Sequence, residues 1–250
     1  LYSSAASDVY KRQVHNSVEY INVLSEIESR VYADRASYLG DADFYDVPID
    51  FLLNENYLSN RYKNIKENIK TPSSDIKSGE IYINESEETT HYSIVDKLGN
   101  AVSVTTTINS SFGSKVVVDG AGFLLNNEMD DFSIKPGFPN MFGLIGGEAN
   151  AIEPNKRMLS SMTPTIVEKD KKLFMVLGTP GGSTIITSVF QTILNVIDHK
   201  MGMQEAVDAK KFHHQWLPDV IVIEKNSISK ESLEKIKNIG HKIMERGSIG

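Results

Sequence analysis

Apolar residues recur three or four apart at Val14, Val18, Ile21, Leu24, Ile27 and Val31, which predicts a long amphipathic helix over 14–38. Residues 39–50 (LGDADFYDVPID) are rich in turn formers, and 55–69 predict a second helix with a polar face. A polar linker, TPSSDIKSGEIYINESEE, fills 71–88. Beyond it the period changes from helical to alternating, predicting short strands at 89–96, 101–109, 115–119 and 121–126. Residues 132–152 carry two prolines and four glycines and read as a long loop of the functional or mobile kind. From 163 the pattern becomes strand (TPTIVEKD), turn (Lys171–Lys172), strand (LFMVLGT), glycine loop (PGGS) and helix (TIITSVFQTILNVIDH). A short helix at 203–211, a strand at IVIEK and a helix at 229–239 follow. Strands clustered centrally, with helices before and after, predict an α+β fold.

The first hairpin fixes its own register. Small and polar residues occupy Thr89, His91 and Ser93 on one strand and Ala101, Ser103, Thr105, Thr107 and Asn109 on the other. A three-residue loop, Lys97-Leu98-Gly99 with glycine left-handed, pairs Asp96 with Asn100 and brings those two faces together. Thr89 then stands opposite Thr107, with Asn109 one step beyond. The abrupt end of the linker at Thr89 is a good place for a bond to be cut. A threonine with a free α-amine (pKa about 7.7–8.0 unperturbed) carries nucleophile and base in one residue. The plainer alternative is a polar strand face turned to solvent.

Composition narrows the classes. The chain has 250 residues, 40% hydrophobic and 24% charged, as in ordinary globular proteins, enough for one large domain or two small ones. A net charge of -7 argues against nucleic acid, and the Lys-rich stretch 224–242 mixes both signs at helical spacing. No run reaches the roughly 18 apolar residues of a membrane span. With no cysteine, disulfides, thiolate metal sites and cysteine nucleophiles are excluded. The opening LYSSAASDVYKRQ (1–13) reads as a non-native leader, and RGSIG ends the sequence without a closing element, so the chain reads as a fragment.

Four further segments could carry chemistry. In LGTPGGSTIITSVFQ, the glycines Gly181 and Gly182 lie between a strand and a helix, where free amides could hold phosphate or an oxyanion. No lysine follows, which weakens the phosphate reading. In LLNNEMDDF, Glu128, Asp130 and Asp131 lack the spacing of a calcium loop; beside Asn126 and Asn127 they could hold an ammonium, or form an acidic turn. Ser160 and Ser161 of MLSSMTP are paired hydroxyls suited to a carboxylate. HHQW (213–216) tempts a metal assignment, but adjacent histidines point apart and no third ligand has suitable spacing, so a structural corner around Trp216 is favoured.

Taken together, TTHYSIVD, TTTINSSFG, LLNNEMDDF, PNKRMLSSMTPTIV, GTPGGS and FHHQWLPD resemble the small subunit of a bacterial-type γ-glutamyltranspeptidase. ADRASYLGDADFYDVPID resembles the end of that family's large subunit, and the likeness runs from about residue 15 to 245. It implies an N-terminal-nucleophile hydrolase fold, an αββα sandwich truncated here at both ends. Residues 14–88 would then be the close of the large-subunit region with its linker, and 89–250 the catalytic region. The resemblance also implies self-cleavage between Glu88 and Thr89, with Thr89 as nucleophile, Thr107 bonded to it, and Gly181 and Gly182 as oxyanion hole. Asn109, Glu128 and Asp131 match residues holding the α-amino and α-carboxyl end of a glutamyl group, and Ser160 and Ser161 a carboxylate-binding pair. The implied reaction takes glutathione or another γ-glutamyl compound as donor and water, an amino acid or a peptide as acceptor, with no metal or organic cofactor.

The same resemblance implies a periplasmic or extracellular enzyme whose large subunit begins before this chain, with the arginine for the substrate carboxylate in the missing part. Phe142 stands in a lid-like loop where many relatives carry tyrosine. Alternatives are a glutaryl or cephalosporin-type acylase of the same fold, and a non-catalytic, unprocessed fragment. The Glu128/Asp131 pair disfavours the acylase, because an ammonium-free acyl group would leave those charges unpaired.

Overall fold

Ser17 caps the first helix, its hydroxyl accepting the Tyr20 amide at 3.1 Å, and α1 runs over Val18–Tyr38. It starts four residues later than the apolar spacing predicts, leaving Val14 outside and 77% exposed. The computed structural model describes residues 13–76 and 89–250; most of the leader, the linker from 77 and Glu88 lie outside the described residues. The amphipathic expectation for α1 needs correcting. Its apolar stripe is buried, but so are Asn22, Ser25, Glu26, Glu28, Ser29, Arg30 and Arg35 on its other sides. Each long polar side chain among these is hydrogen-bonded to a segment distant in sequence, which is what makes such burial tolerable.

A short α2 (Ile49–Leu52) and α3 (Glu55–Tyr62) follow, the latter capped by the Asn54 side chain. The predicted helix to residue 69 stops at Tyr62. Beyond it the Lys66 and Glu67 carbonyls accept hydrogen bonds from Asn22 Nδ2 instead of continuing a helical ladder. Strands β1 (Thr90–Val95) and β2 (Ala101–Thr106) form the predicted hairpin, with Thr90 paired to Thr106, His91 to Thr105, and Gly99 at φ 88° in the turn. The strands predicted at 115–119 and 121–126 do not form. Positive φ at Phe112, Gly113, Lys115, Gly120 and Gly122 curls this stretch, leaving one bridge between Val117 and Leu124.

Strands β3 (Thr165–Lys169) and β4 (Lys172–Leu177) pair antiparallel. Their turn is Asp170–Lys171, both at positive φ, one residue earlier than predicted. The two ribbons meet where the Ser103 hydroxyl donates to the Leu177 carbonyl at 3.1 Å. Helix α4 (Ile185–Ile197) follows β4, then the short α5 (Met203–Asp208). A third sheet orders β5 (Phe212–His213), β6 (Ile221–Glu224) and β7 (Ile243–Arg246), with α6 (Lys230–Ile239) between its last two strands. Strands β5 and β7 were not predicted; each is short and lies beside a stronger helical pattern.

Three apolar clusters hold these layers together. The largest joins Ile21, Leu24 and Ile27 of α1 to Leu58, Leu194, Phe212, Ile221 and Ile236. The second packs Tyr32 and Ala36 against Phe142, Leu144, Ile145 and Trp216. Phe142, 5% exposed, is thus both a core residue and part of the cleft wall. The third seats Met175 and Leu177 on Ile185 and Val189.

HHQW folds as a buried corner. His213 bonds Thr187 and Gln215 at 2.8 Å each, and His214 Nδ1 accepts the Trp216 amide at 3.1 Å. Burial pushes the His213 imidazole down to about 4, so it is neutral near pH 7. The Trp216 indole donates to the carbonyls of Ser73 and Ile76, at 3.1 and 2.7 Å. It therefore anchors the chain just before residue 77. Replacing Trp216 with Phe is expected to cost about 2 to 3 kcal/mol through those lost bonds, read as a lowered midpoint in urea unfolding.

Candidate active site

The parity of the β1–β2 register decides which side chains share a face. Thr89, one residue before β1, is half-buried while Thr90 is exposed. The Thr89 hydroxyl lies 3.5 Å from Thr107 Oγ1, at the outer edge of hydrogen-bonding reach. Thr107 Oγ1 also accepts the Asn109 amide at 2.9 Å, which orients that hydroxyl. Asn109 adopts φ 78°, a conformation that asparagine tolerates better than most residues. Its side-chain amide donates to the Asn127 carbonyl at 3.2 Å, and Asn127 in turn accepts from the Ser110 amide at 3.1 Å. These bonds tie the end of the hairpin to the acidic turn.

That turn is a single 3-10 turn, Glu128–Asp131. Its three carboxylates divide their tasks. Asp130 accepts the Met141 amide at 2.7 Å and so holds the long loop in place. Asp131 lines the cleft, where burial and then Glu128 push its carboxyl up to about 7, against the pull of Arg35. Glu128 is also raised, by burial, and stands beside Asp131 without lining the cleft. Asn150, 4% exposed, bridges this wall to the next: its amide donates to the Asp131 carbonyl at 2.8 Å, and its oxygen accepts the Leu159 amide at 2.9 Å.

The serine pair follows directly. Arg157 anchors the approach by donating to Asp41 from its backbone amide at 2.9 Å and from Nε at 3.0 Å, and it also pairs with Asp43. The Arg157 guanidinium holds the Asp41 carboxyl well below the usual carboxylate range. Ser160 Oγ accepts the Met162 amide at 3.1 Å, and Ser161 Oγ accepts from Arg35 Nη2 at 3.2 Å. Across from them Gly181 and Gly182 turn β4 into α4 at φ 134° and 55°, angles that favour glycine. A Cβ at Gly181 would also come within 2.6 Å of Thr184 Oγ1. Among the described residues no backbone carbonyl accepts the amide of either glycine, which leaves both as donors at the head of a helix.

Thr89, Thr107, Asn109, Asp131, the two serines and Gly182 line one cleft. Phe138, Leu144 and Ile185 supply apolar wall. Glu128 and Gly181 border it through their neighbours. The residues missed from sequence are Arg35 and Asn150, whose partners lie 126 residues away for Arg35 and 19 and 9 residues away for Asn150, contacts that no local spacing announces. Asp130, named with the acidic turn, holds the long loop instead of facing the cleft. The arrangement offers a hydroxyl nucleophile, paired amides for a developing oxyanion, and an acid facing a cation and two hydroxyls. Among the described residues no group of three His, Asp or Glu side chains could hold a metal ion.

A cleft built this way matches a known class. A family model described as gamma-glutamyltranspeptidase matches residues 5–250, and the chain belongs to that family, whose N-terminal-nucleophile hydrolase fold it shares. It is similar to the glutathione hydrolase proenzyme of Escherichia coli (strain K12), 48% identical over 240 residues, covering 96% of this chain and 41% of that protein. It is also similar to the solved structure of a mutant γ-glutamyltranspeptidase from Helicobacter pylori. There the identity is 60% and the TM-score 0.63, over 64% of this chain and 87% of that one. An acylase proenzyme (Acylase ACY 1) of Pseudomonas sp. (strain SE83) is 33% identical, over 91% of this chain and 38% of that protein. The chain spans about two-fifths of the length of these curated relatives. Among the described residues no helix is long and apolar enough to cross a membrane.

The raised Asp131 carboxyl sets a direction for pH. Above about 7 it is ionised and can pair with an ammonium; below that it is neutral and cannot. It faces Glu128 and Asp130 from its own turn and Arg35 from α1. Affinity for an α-amino acid ligand, followed by calorimetry, is therefore expected to fall as pH is lowered through about 7. Asp131→Asn should weaken binding and flatten that dependence.

Proposed function

We propose that the protein containing this chain transfers and hydrolyses γ-glutamyl groups through a threonine ester. The observation that carries this reading is the meeting of Thr89, Thr107, Gly182, Asp131 and the Ser160–Ser161 pair around one cleft. Cleavage of the bond before Thr89 frees its α-amine, which takes the hydroxyl proton as Oγ1 attacks the γ-amide carbonyl. The Thr107 hydroxyl positions Oγ1, and the amides of Gly181 and Gly182 receive the oxyanion. The protonated amine then hands its proton to the departing amine, leaving a γ-glutamyl ester on Thr89. Water or the amine of an amino acid or peptide releases the acyl group. Asp131, with Glu128 beside it, takes the α-ammonium, while Ser160, Ser161 and Asn109 take the α-carboxylate. Each step is a proton or acyl transfer, so the scheme calls for no cofactor.

Residues 14–88 are assigned to the end of a large-subunit region and 89–250 to the catalytic region. The rest of the large subunit is proposed to cover the outward apolar faces of the two ribbons, where Tyr92, Ile94, Val102, Ile166 and Phe174 are exposed. A periplasmic or extracellular site of action belongs to the same proposal, as the family resemblance implies. The acylase reading draws on the similarity to the Pseudomonas acylase proenzyme. Against it, a glutaryl group carries no ammonium and would leave Asp131 unpaired beside Glu128.

The test uses the full-length precursor. Intact-mass measurement should find cleavage before Thr89 in the parent, none in Thr89→Ala, and at least partial cleavage in Thr90→Ala. Turnover of γ-glutamyl amides should follow the same order, and cleavage with turnover of glutaryl amides alone would transfer the case to the acylase. Thr107→Val should lower kcat about 10- to 100-fold, the loss of one to two hydrogen bonds to the nucleophile and its neighbour, with Thr107→Ser retaining most of it.

A further inference from the structure

Arg35 closes the row of buried polar groups on α1 and ends on the floor of the cleft. It is 8% exposed, and among the described residues no carboxylate lies within 4 Å of its guanidinium. Its side chain makes one polar contact there, from Nη2 to Ser161 Oγ at 3.2 Å. Among the described residues the other buried arginine and the buried aspartate are paired, Arg30 with Glu26 at 2.7 Å and Asp41 with Arg157 at 2.5 Å, while buried Glu28 is held by neutral donors. A buried cation without its counter-ion costs several kcal/mol, which fits a group kept for something that arrives from outside.

We propose that Arg35 is a positioning residue for the substrate's α-carboxylate, acting through the Ser161 hydroxyl and through its charge on the cleft floor. The inference rests on the γ-glutamyl reading and deepens it, by making a free α-amino acid head group the feature selected. The chemistry of a hydroxyl supplies the first half. Oxygen has one proton and two lone pairs. With Arg35 donating into one lone pair, the Ser161 proton is free to point into the cleft, where a carboxylate accepts it. The second half is electrostatic. The guanidinium acts on both ends of a zwitterion, attracting its carboxylate and favouring the ionised form of Asp131 that receives its ammonium. The charged and titratable groups around that pair are Glu128 and Asp130 on the acidic turn and Tyr32 on α1.

Arg35→Gln and Arg35→Lys in the full-length precursor separate these roles, with a γ-glutamyl anilide as substrate. Arg35→Gln should raise KM about tenfold or more, the usual loss for a charge-assisted bond, with kcat changed less than about threefold. The lower limb of kcat/KM against pH should move to higher pH, because Asp131 loses its nearby cation. Lysine keeps the charge but lacks the planar fork, so Arg35→Lys should raise KM less and leave the limb in place. In a Ser161→Ala background Arg35→Gln should add clearly less than it does alone, since the two act on one hydroxyl.

Unchanged KM in Arg35→Gln, or full additivity with Ser161→Ala joined to an unmoved pH limb, would overturn the proposal. If Arg35→Gln fails to fold, Arg35→Lys decides: a KM equal to that of the parent overturns it. A parent that is folded and cleaved but does not turn over the anilide would sink the γ-glutamyl reading itself, a result distinct from all of these.

Discussion

The structure depends on burying a helix that is polar on several sides. Asn22, Glu26, Glu28, Arg30 and Arg35 of α1 are all inside, and each would be costly if left unpaired. Asn22 holds the carbonyls of Lys66 and Glu67 and meets His241 at 2.7 Å. Glu26 takes the Thr71 amide and Arg30; Glu28 takes the His214 amide and Gln191. Arg35 takes Ser161. A purely apolar helix could slide or rotate against its neighbours at modest cost. This one cannot move a turn without orphaning several groups at once, so it sets the register of segments between 66 and 241.

That constraint reaches the cleft from two directions. The Trp216 corner, packed on Tyr32 and Ala36, grips the chain at Ser73 and Ile76. Arg35, further along the same helix, fixes the serine loop. The β1–β2 hairpin meets them through close approach: a Cβ on Gly178 would fall 2.3 Å from the His91 ring, so the end of β4 lies hard against the Thr89 face. Gly178 begins the loop that continues into Gly181 and Gly182. The β1–β2 hairpin and the glycine loop are therefore set against each other by this approach and by the Ser103–Leu177 hydrogen bond.

What could be read from the sequence was local. Alternation together with a glycine at the right place in the turn gave Thr89 opposite Thr107, and β3, β4 and α4 followed from equally short-range patterns. The errors have physical causes. Residues 115–126 alternate like strands, yet the left-handed residues from Phe112 to Gly122 break the ladder. The region after Tyr62 has a helical period, but its carbonyls are captured by Asn22. Periodicity marked the apolar face of α1 correctly and could say nothing of what packs on its polar sides. Arg35 was invisible for that reason, since its partner is 126 residues away. Glu128 and Gly181, singled out by the acidic turn and the glycine loop, stand at the border of the cleft and not in its lining.

In the cleft the fold leaves two opposite charges on one wall without joining them. Glu26, Asp41 and Asp219 each have a cation within 2.7 Å, whereas Asp131 and Arg35 share a wall without an ion pair. Closing that gap by moving the two together would stabilise the free protein and fill the site with itself. Holding them apart, through Asn150 on one side and Ser161 on the other, leaves an acid and a cation spaced for a molecule bearing both opposite charges. Such a molecule would complete the pairing that folding leaves open, and a ligand with only one of the charges would leave the other wall uncompensated. On the γ-glutamyl reading proposed above, selectivity for a free amino acid head group rests on these two separated charges.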